Sequence, residues 1–137
     1  MVLPGQAKNP QPINGAENVN IHNPTLSWSA GDASATGWDV YFGTSSGSLS
    51  LLANVTSSTT PAGELEINRQ YFWRVDEHNI YGTVTGVVWN FTTRGPVCLT
   101  PPVGDANGDC YVNFLDSAIL AAQWLACNRQ PTAECWQ

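Results

Sequence analysis

Charge is scarce in this sequence. Only 12% of the 137 residues are charged, about half the usual share. Lys8, Arg69, Arg74, Arg94 and Arg129 are the only basic residues besides two histidines, against eleven acids, and the net charge is −6. No basic patch can neutralise phosphates, which excludes nucleic acid as a partner. The same shortage leaves no polybasic anchor for an anionic membrane. No apolar run approaches the roughly 18 residues that span a bilayer, so membrane insertion is not expected. The opening "MVLPGQAKNP" carries neither the basic nor the apolar stretch of a secretory signal, so a secreted form is expected to be a mature or excised segment. C-x-x-C spacing is also missing, which argues against a redox or zinc site.

Cysteines are nevertheless present, and all four (Cys98, Cys110, Cys127 and Cys135) lie in the last forty residues. An even count packed into a short tail predicts two disulfides and an oxidising compartment, extracellular or at the cell surface. Apolar residues make up 42% and include six Trp, four Tyr and four Phe, enough for a real core. Ser, Thr, Asn and Gly fill the rest, a composition common in extracellular β-rich proteins. "NVT" at Asn54 and "NFT" at Asn90 are candidate glycosylation sites.

From residue 25 to 93 the pattern alternates with period two. Leu26 and Trp28 share one face; so do Trp38, Val40 and Phe42, with Asp39 and Tyr41 opposite. Tyr71, Trp73 and Val75 point inward, with Arg74, Asp76 and His78 outward. Val87, Trp89 and Phe91 are placed inward, with Asn90 and Thr92 outward. Half-buried antiparallel strands give this alternation, and Gly/Ser/Thr-rich turns such as "GTSSGS" and "TSSTTPAGE" punctuate it. Several short strands at such spacing predict a β-sandwich. Leu65 precedes Tyr71 by six residues, the spacing of a tyrosine corner. On these features residues 7 to 93 resemble a fibronectin type III-like sandwich in length and strand order. "NPQPINGAENVNI" would be its first edge strand, interrupted by proline. Ile67 stands where that family often has proline. The expected fold is mostly β: an antiparallel sandwich over residues 1–94, with 1–6 as an extended arm, then a linker, calcium loop and helix over 95–137.

The texture changes after Thr93. "RGPVCLTPPVG" is a linker that cannot be helical. "GDANGDCYVNFLD" then crowds acids and amides together, and "FLDSAILAAQWLAC" places Leu115, Ala118, Ile119, Ala122 and Leu125 on one helical face. A helix of about twelve residues is marginal alone, so that face is expected to pack, with the sandwich as the nearest candidate. Calcium takes six to eight oxygens, and an EF-hand loop supplies them from positions one, three, five, seven, nine and twelve. Counting from Asp105, those positions are Asp105, Asn107, Asp109, the Tyr111 carbonyl, Asn113 and Asp116. Three carboxylates so close repel unless a dication sits among them, so Ca2+ is the expected cofactor. The competing reading is an Asp/Asn/Gly turn with a helix N-cap at Asp116.

"GDANGDCYVNFLDSAILAAQWL" resembles one dockerin-type repeat, with Asp at position twelve and a Leu-rich helix. The resemblance departs in three ways: dockerins that bind cohesins usually carry two repeats, the incoming helix is replaced by "LTPPV", and position six, normally glycine, is Cys110. A positive φ at a non-glycine residue costs on the order of 1 kcal/mol, which a disulfide at Cys110 would hold in place. Pairing Cys98–Cys110 and Cys127–Cys135 closes two short local loops and is favoured; the other two connectivities stay open.

Other features carry less. Asp76 and His78 share an outer face, with Glu77 turned the other way. No nucleophile or second histidine motif accompanies them, so an exposed pair is expected rather than acid–base chemistry. Sugar stacking would fall to Trp124, Trp136 and Tyr81, because Trp28, Trp38, Trp73 and Trp89 follow the inward pattern. No catalytic constellation is legible, so the chain is not expected to be an enzyme. Three functions then compete. The first is an extracellular assembly module whose partner is an identical subunit in a surface fibre, with "MVLPGQ" or "AKNPQPI" adding a strand to a neighbour. The second is an anchoring tail of a larger secreted carbohydrate-active enzyme that docks to a cohesin-like receptor. The third is a carbohydrate-binding module.

Overall fold

A computed structural model describes residues 2–100, 102–108 and 110–123. The chain divides into two compact units, Met1–Gly95 and Pro96–Gln137.

In the first unit β1 (Lys8–Gln11), β3 (Thr25–Ser29) and β6 (Thr59–Pro61) form one sheet in the order β1-β3-β6. The other sheet holds β2 (Ala16–Val19), β4 (Gly37–Gly43), β5 (Ser50–Val55), β7 (Gln70–Asn79), β8 (Gly82–Val84) and β9 (Val88–Thr93). Its order is β2-β9-β7-β4-β5, with β8 on β7. Alternation decides which face each strand buries. Leu26, Trp28, Trp38, Val40, Tyr71, Trp73, Val75, Trp89 and Phe91 are buried as the pattern predicts, and Phe42 packs against them. Trp73 sits at the centre, its ring centroid 4.8 Å from Trp89 and 6.3 Å from Trp28, both edge-on. Each such pair adds about 0.5–1.5 kcal/mol beyond the area it buries.

Period two also sends Glu77 into this core, where it is fully buried. Its Oε1 accepts the Trp38 indole N–H at 3.1 Å and the Gly31 backbone N–H at 2.9 Å. One carboxylate oxygen thus satisfies two donors that would otherwise lie desolvated.

Three expectations are corrected. The first strand is two strands. β1 pairs antiparallel with β3, and β2 pairs parallel with β9 in the opposite sheet. Pro12 lies at the crossing, where its missing N–H ends the ladder. Gly15, at φ 81, donates its N–H to the Asn90 carbonyl at 2.8 Å and starts the second strand. Val87 is not in the core but 49% exposed. The chain crosses closely over β7 at Gly86, where a Cβ would stand 2.9 Å from the Val75 carbonyl carbon, and regular pairing resumes only at Val88. Asp76 is not exposed but buried. Arg74 forks onto it through Nε at 2.7 Å and Nη2 at 2.9 Å, and the Gly86 N–H adds a bond of 2.9 Å. The Arg74 guanidinium lies 4.6 Å from the Tyr41 ring centroid, so the outer face of the sheet is covered there.

The amino-terminal arm lies along its own sandwich. Pro4 is buried, Asn79 Nδ2 donates to the Val2 carbonyl at 3.0 Å, and Gln6 Nε2 donates to the Thr85 carbonyl at 2.9 Å. Gly5 meets Gly31 backbone to backbone: a Cβ on Gly5 would be 2.7 Å from the Gly31 carbonyl carbon.

In the second unit one helix is described, α1 (Phe114–Ala122). Leu115, Ala118, Ile119 and Ala122 on its predicted packing face are all exposed, as is Leu120. Leu125 lies outside the described residues. No described helix is long and apolar enough to cross a membrane.

Candidate functional site

The loop from Gly104 to Asp116 is organised around two carboxylates. Asp105 Oδ1 accepts the Gly108 N–H at 2.7 Å, and Oδ2 accepts the Cys110 N–H at 3.0 Å. Asp116 Oδ1 accepts the N–H groups of Ala106 at 2.8 Å and Asn107 at 3.3 Å, while Oδ2 accepts that of Asn113 at 2.7 Å. Backbone donors thus fix both side chains, and both line one cavity of about 420 Å³ together with Ala106, Val112, Ser117 and Leu120.

Asn113 is the helix N-cap, its Oδ1 accepting the Leu115 N–H at 2.7 Å. Asp116 completes the capping box from position N3. The cap predicted at Asp116 by the plain turn reading therefore falls three residues earlier. The same carboxylate also reaches back to Ala106 and Asn107, which an isolated helix start does not require. The N–H of Asn113 is the largest influence on Asp116, with those of Ala106 and Asn107 adding to it, and together they hold its carboxyl below the usual carboxylate range although burial opposes them.

Cys110 is bonded to Cys98 across a separation of 12 residues and sits at φ 76. The sixth loop position therefore has the left-handed backbone that glycine ordinarily supplies. Cys127 and Cys135 lie outside the described residues, as do Trp124 and Trp136. So does Asp109, so three of the four acids and amides expected at odd positions (Asp105, Asn107 and Asn113) are described, together with Asp116. Tyr111 follows Cys110 as an exposed residue. Among the described residues no three His, Cys, Asp or Glu side chains gather as a metal-ligand group. Among the described residues of the loop, the carboxylates that could hold a cation are those of Asp105 and Asp116, with the amide oxygens of Asn107 and Asn113 in the same segment. Both carboxylates accept backbone N–H bonds, from Gly108 and Cys110 at Asp105 and from Ala106, Asn107 and Asn113 at Asp116.

The remaining candidates sit on the sandwich. Asn54 is exposed and donates Nδ2 to Asp39 Oδ1 at 2.6 Å, with His78 Nε2 at 3.5 Å. Asn90 is half-buried in β9 between β2 and β7. Its Nδ2 donates to Asn14 Oδ1 at 3.2 Å and its Oδ1 accepts from Gln70 Nε2 at 3.2 Å. Trp28, Trp38, Trp73 and Trp89 are buried and offer no platform for a sugar, while Tyr81 is exposed.

Tyr71 opens β7 and its hydroxyl accepts the Glu66 N–H at 3.0 Å, closing the loop that carries Leu65 and Ile67. No family model matches the chain, and no curated protein does. Solved structures do match. The crystal structure of FN3tt has a TM-score of 0.58 at 20% identity, covering 70% of this chain and 100% of that one. The sixth fibronectin type III domain of human fibronectin type III domain containing protein 3 has a TM-score of 0.61 at 16% identity, covering 74% and 96%. The fold is fibronectin type III-like. A further solution structure of a fibronectin type III domain of human fibronectin type III domain containing protein 3 matches with a TM-score of 0.53 at 16% identity, again over 74% and 96%. At such identities the likeness concerns the fold alone. What the fibronectin type III-like unit contributes here is a body built on aromatic packing, with its corner held by Tyr71.

Proposed function

We propose that the chain is a non-catalytic extracellular module for protein–protein assembly, a fibronectin type III-like body followed by a loop–helix unit that holds a calcium ion. The observation that carries the reading is the pair Asp105 and Asp116. They are eleven residues apart in sequence, yet both line one cavity and each is braced by backbone N–H groups from the loop between them. The hard oxygens of Asp105, Asn107, Asp109, Tyr111, Asn113 and Asp116 are the donor type that calcium prefers. The ion would balance the repulsion of the carboxylates and tie the loop to the first turn of α1. The left-handed Cys110, held by its disulfide, supports the same reading because it supplies the turn at position six. The disulfide also favours an oxidising, extracellular setting. The exposed Leu115, Ile119 and Leu120 beside the loop favour a protein over a sugar as what this unit meets.

Calcium titration of the intact chain by calorimetry tests this. Saturable binding is expected, with Asp105→Ala and Asp116→Ala each abolishing it and the body still folded. The absence of binding heat at millimolar calcium, with the disulfide intact, would overturn the reading. A calcium-dependent pull-down with a cohesin domain then decides between an anchoring tail and assembly from identical subunits.

A further inference from the structure

The two Asn-x-Thr signals, "NVT" at Asn54 and "NFT" at Asn90, stand on the same sheet, and the fold treats them differently. Asn54 is next to last in β5, an edge strand with β4 as its one strand neighbour. Its side chain is exposed, and so is Thr56 in the bend that follows. The Nδ2 group donates to Asp39 Oδ1 at 2.6 Å, whereas His78 Nε2 stands at 3.5 Å, too far for a strong bond. One N–H is committed and the second is replaceable. Asn90 lies inside β9, with β2 on one side and β7 on the other. Asn14 Oδ1 accepts both its backbone N–H at 2.9 Å and its Nδ2 at 3.2 Å, while Gln70 Nε2 donates to its Oδ1 at 3.2 Å. Asn90, Phe91 and Thr92 all pair with β7, so this signal is extended from end to end.

The edge that carries Asn54 also lacks the usual protection against strand pairing. β1 has Lys8 and Pro10, β2 has Glu17, and β6 ends on Pro61. Residues 40 to 63, which contain β5, include no Lys, Arg, His, Asp or Glu, and no proline falls within Ser50–Val55. A bulge at Leu52 sets the faces. Buried Val40 is opposite Ala53, while Tyr41 is opposite Leu51 and Asp39 opposite Asn54. Leu51, 56% exposed, and Asn54 therefore share the outer face of the edge.

We propose that Asn54, and not Asn90, accepts an N-linked glycan, and that this glycan is what covers the β5 edge. The donor class is a sugar carried on a lipid diphosphate. The Asn54 amide nitrogen attacks the anomeric carbon, and the N–C bond forms as the bond from that carbon to the diphosphate oxygen breaks. The diphosphate leaves with the electron pair, and the amide gives up one proton to a base of the transferase. The remaining N–H keeps its bond to Asp39, and the sugar takes the place of the long His78 contact. A bulky, polar group beside Leu51 then does for β5 what lysine and proline do for the other edges. At Asn90 the same reaction would have to expel Asn14 and open β9. The proposal rests on the extracellular setting inferred above but on neither calcium nor an assembly partner.

A transferase that modifies synthetic peptides of residues 50–60 and 86–96 equally is given the folded chain and a lipid-diphosphate-linked oligosaccharide. Cleavage after Arg69, Arg74 and Arg94 places the two asparagines on separate peptides for mass measurement. Asn54 should be modified, with Asn90 slower by at least about a hundredfold because the body must open first. Asn54→Gln should remove the modification. Nuclear Overhauser contacts from the first sugar to the Leu51 methyl groups and the His78 ring should then locate the glycan over the edge. Equal modification of both asparagines in the folded chain would overturn the site assignment, as would an unmodified Asn54. A sugar that contacts neither Leu51 nor His78 would overturn the covering role. None of these failures touches the calcium reading, which the calorimetry above tests separately.

Discussion

The two units of this chain are held by opposite means. The body depends on contacts between residues far apart in sequence: Trp28 from β3 meets Trp73 from β7, and Trp89 from β9 meets Trp73 as its neighbour in the same sheet. In the loop–helix unit, Asp105 bonds to Gly108 and Cys110, Asp116 bonds to Ala106 and Asn113, and the disulfide spans 12 residues. Its large apolar side chains, Tyr111, Phe114, Leu115 and Leu120, are exposed, and its one buried described side chain belongs to Asp116. One unit is organised by what it excludes from water, the other by polar and covalent bonds over a short stretch. Different perturbations should therefore reach each.

The largest expected effect is on the body. Trp73→Ala leaves a cavity between Trp28 and Trp89 and removes two edge-on ring contacts, at a cost of about 3–5 kcal/mol. Marginal domains have only about 5–15 kcal/mol in total. Denaturant unfolding followed by the remaining tryptophans should show the loss, while exchange of the Gly108 and Cys110 amides stays as in the parent. If those amides lose protection in step with the body, the two units do not have separate supports.

This contrast also explains what the sequence made legible. Period-two alternation located Leu26, Trp28, Val40, Trp73 and Phe91 in the core, because one face of a strand either meets the other sheet or does not. The same rule sent Glu77 inward, and nothing local indicated that Trp38 and Gly31 would supply its donors. Asp76 and Val87 were misplaced because alternation describes an isolated strand. The Arg74 fork and the crossing of Gly86 over β7 are set by neighbours that only the fold brings together. The split of the first strand had a visible signal in Pro12, but a strand that changes sheets and one that merely breaks read alike in sequence. In the loop the reverse holds. Spacing placed Asp105 and Asp116 as one group, since a short loop leaves little freedom in where its side chains converge, but it gave no hint that backbone N–H groups would occupy so many of their acceptor sites.

The second perturbation exchanges the roles. Cys98→Ser, or reduction, releases Cys110 from its left-handed conformation and lengthens the free chain, at a cost of about 3 kcal/mol for a loop of this size. Exchange at Gly108 and Cys110 should then accelerate and the helix signal in circular dichroism fall, with the body's unfolding midpoint unchanged. An equal loss in the body would break the comparison from the other side.

The smallest effect sharpens it. Asp116 has its carboxyl held below the usual range, chiefly by the Asn113 N–H and then by those of Ala106 and Asn107. A folded-state value below the unfolded one means the group stabilises above the unfolded pKa of about 3.9 and loses that contribution as pH falls through the folded value. In chelator, so that no calcium competes, the helix signal should therefore decline below about pH 4, and Asp116→Asn should flatten that decline. The body offers the control. Asp32 is lowered as well, first by the Ser34 hydroxyl and then by its backbone N–H, but it sits in an exposed turn where solvent screens the gain. Acid should thus loosen the loop–helix unit before it touches the aromatic core. A decline that follows tryptophan fluorescence instead would mean that the carboxylates of the loop contribute nothing of their own.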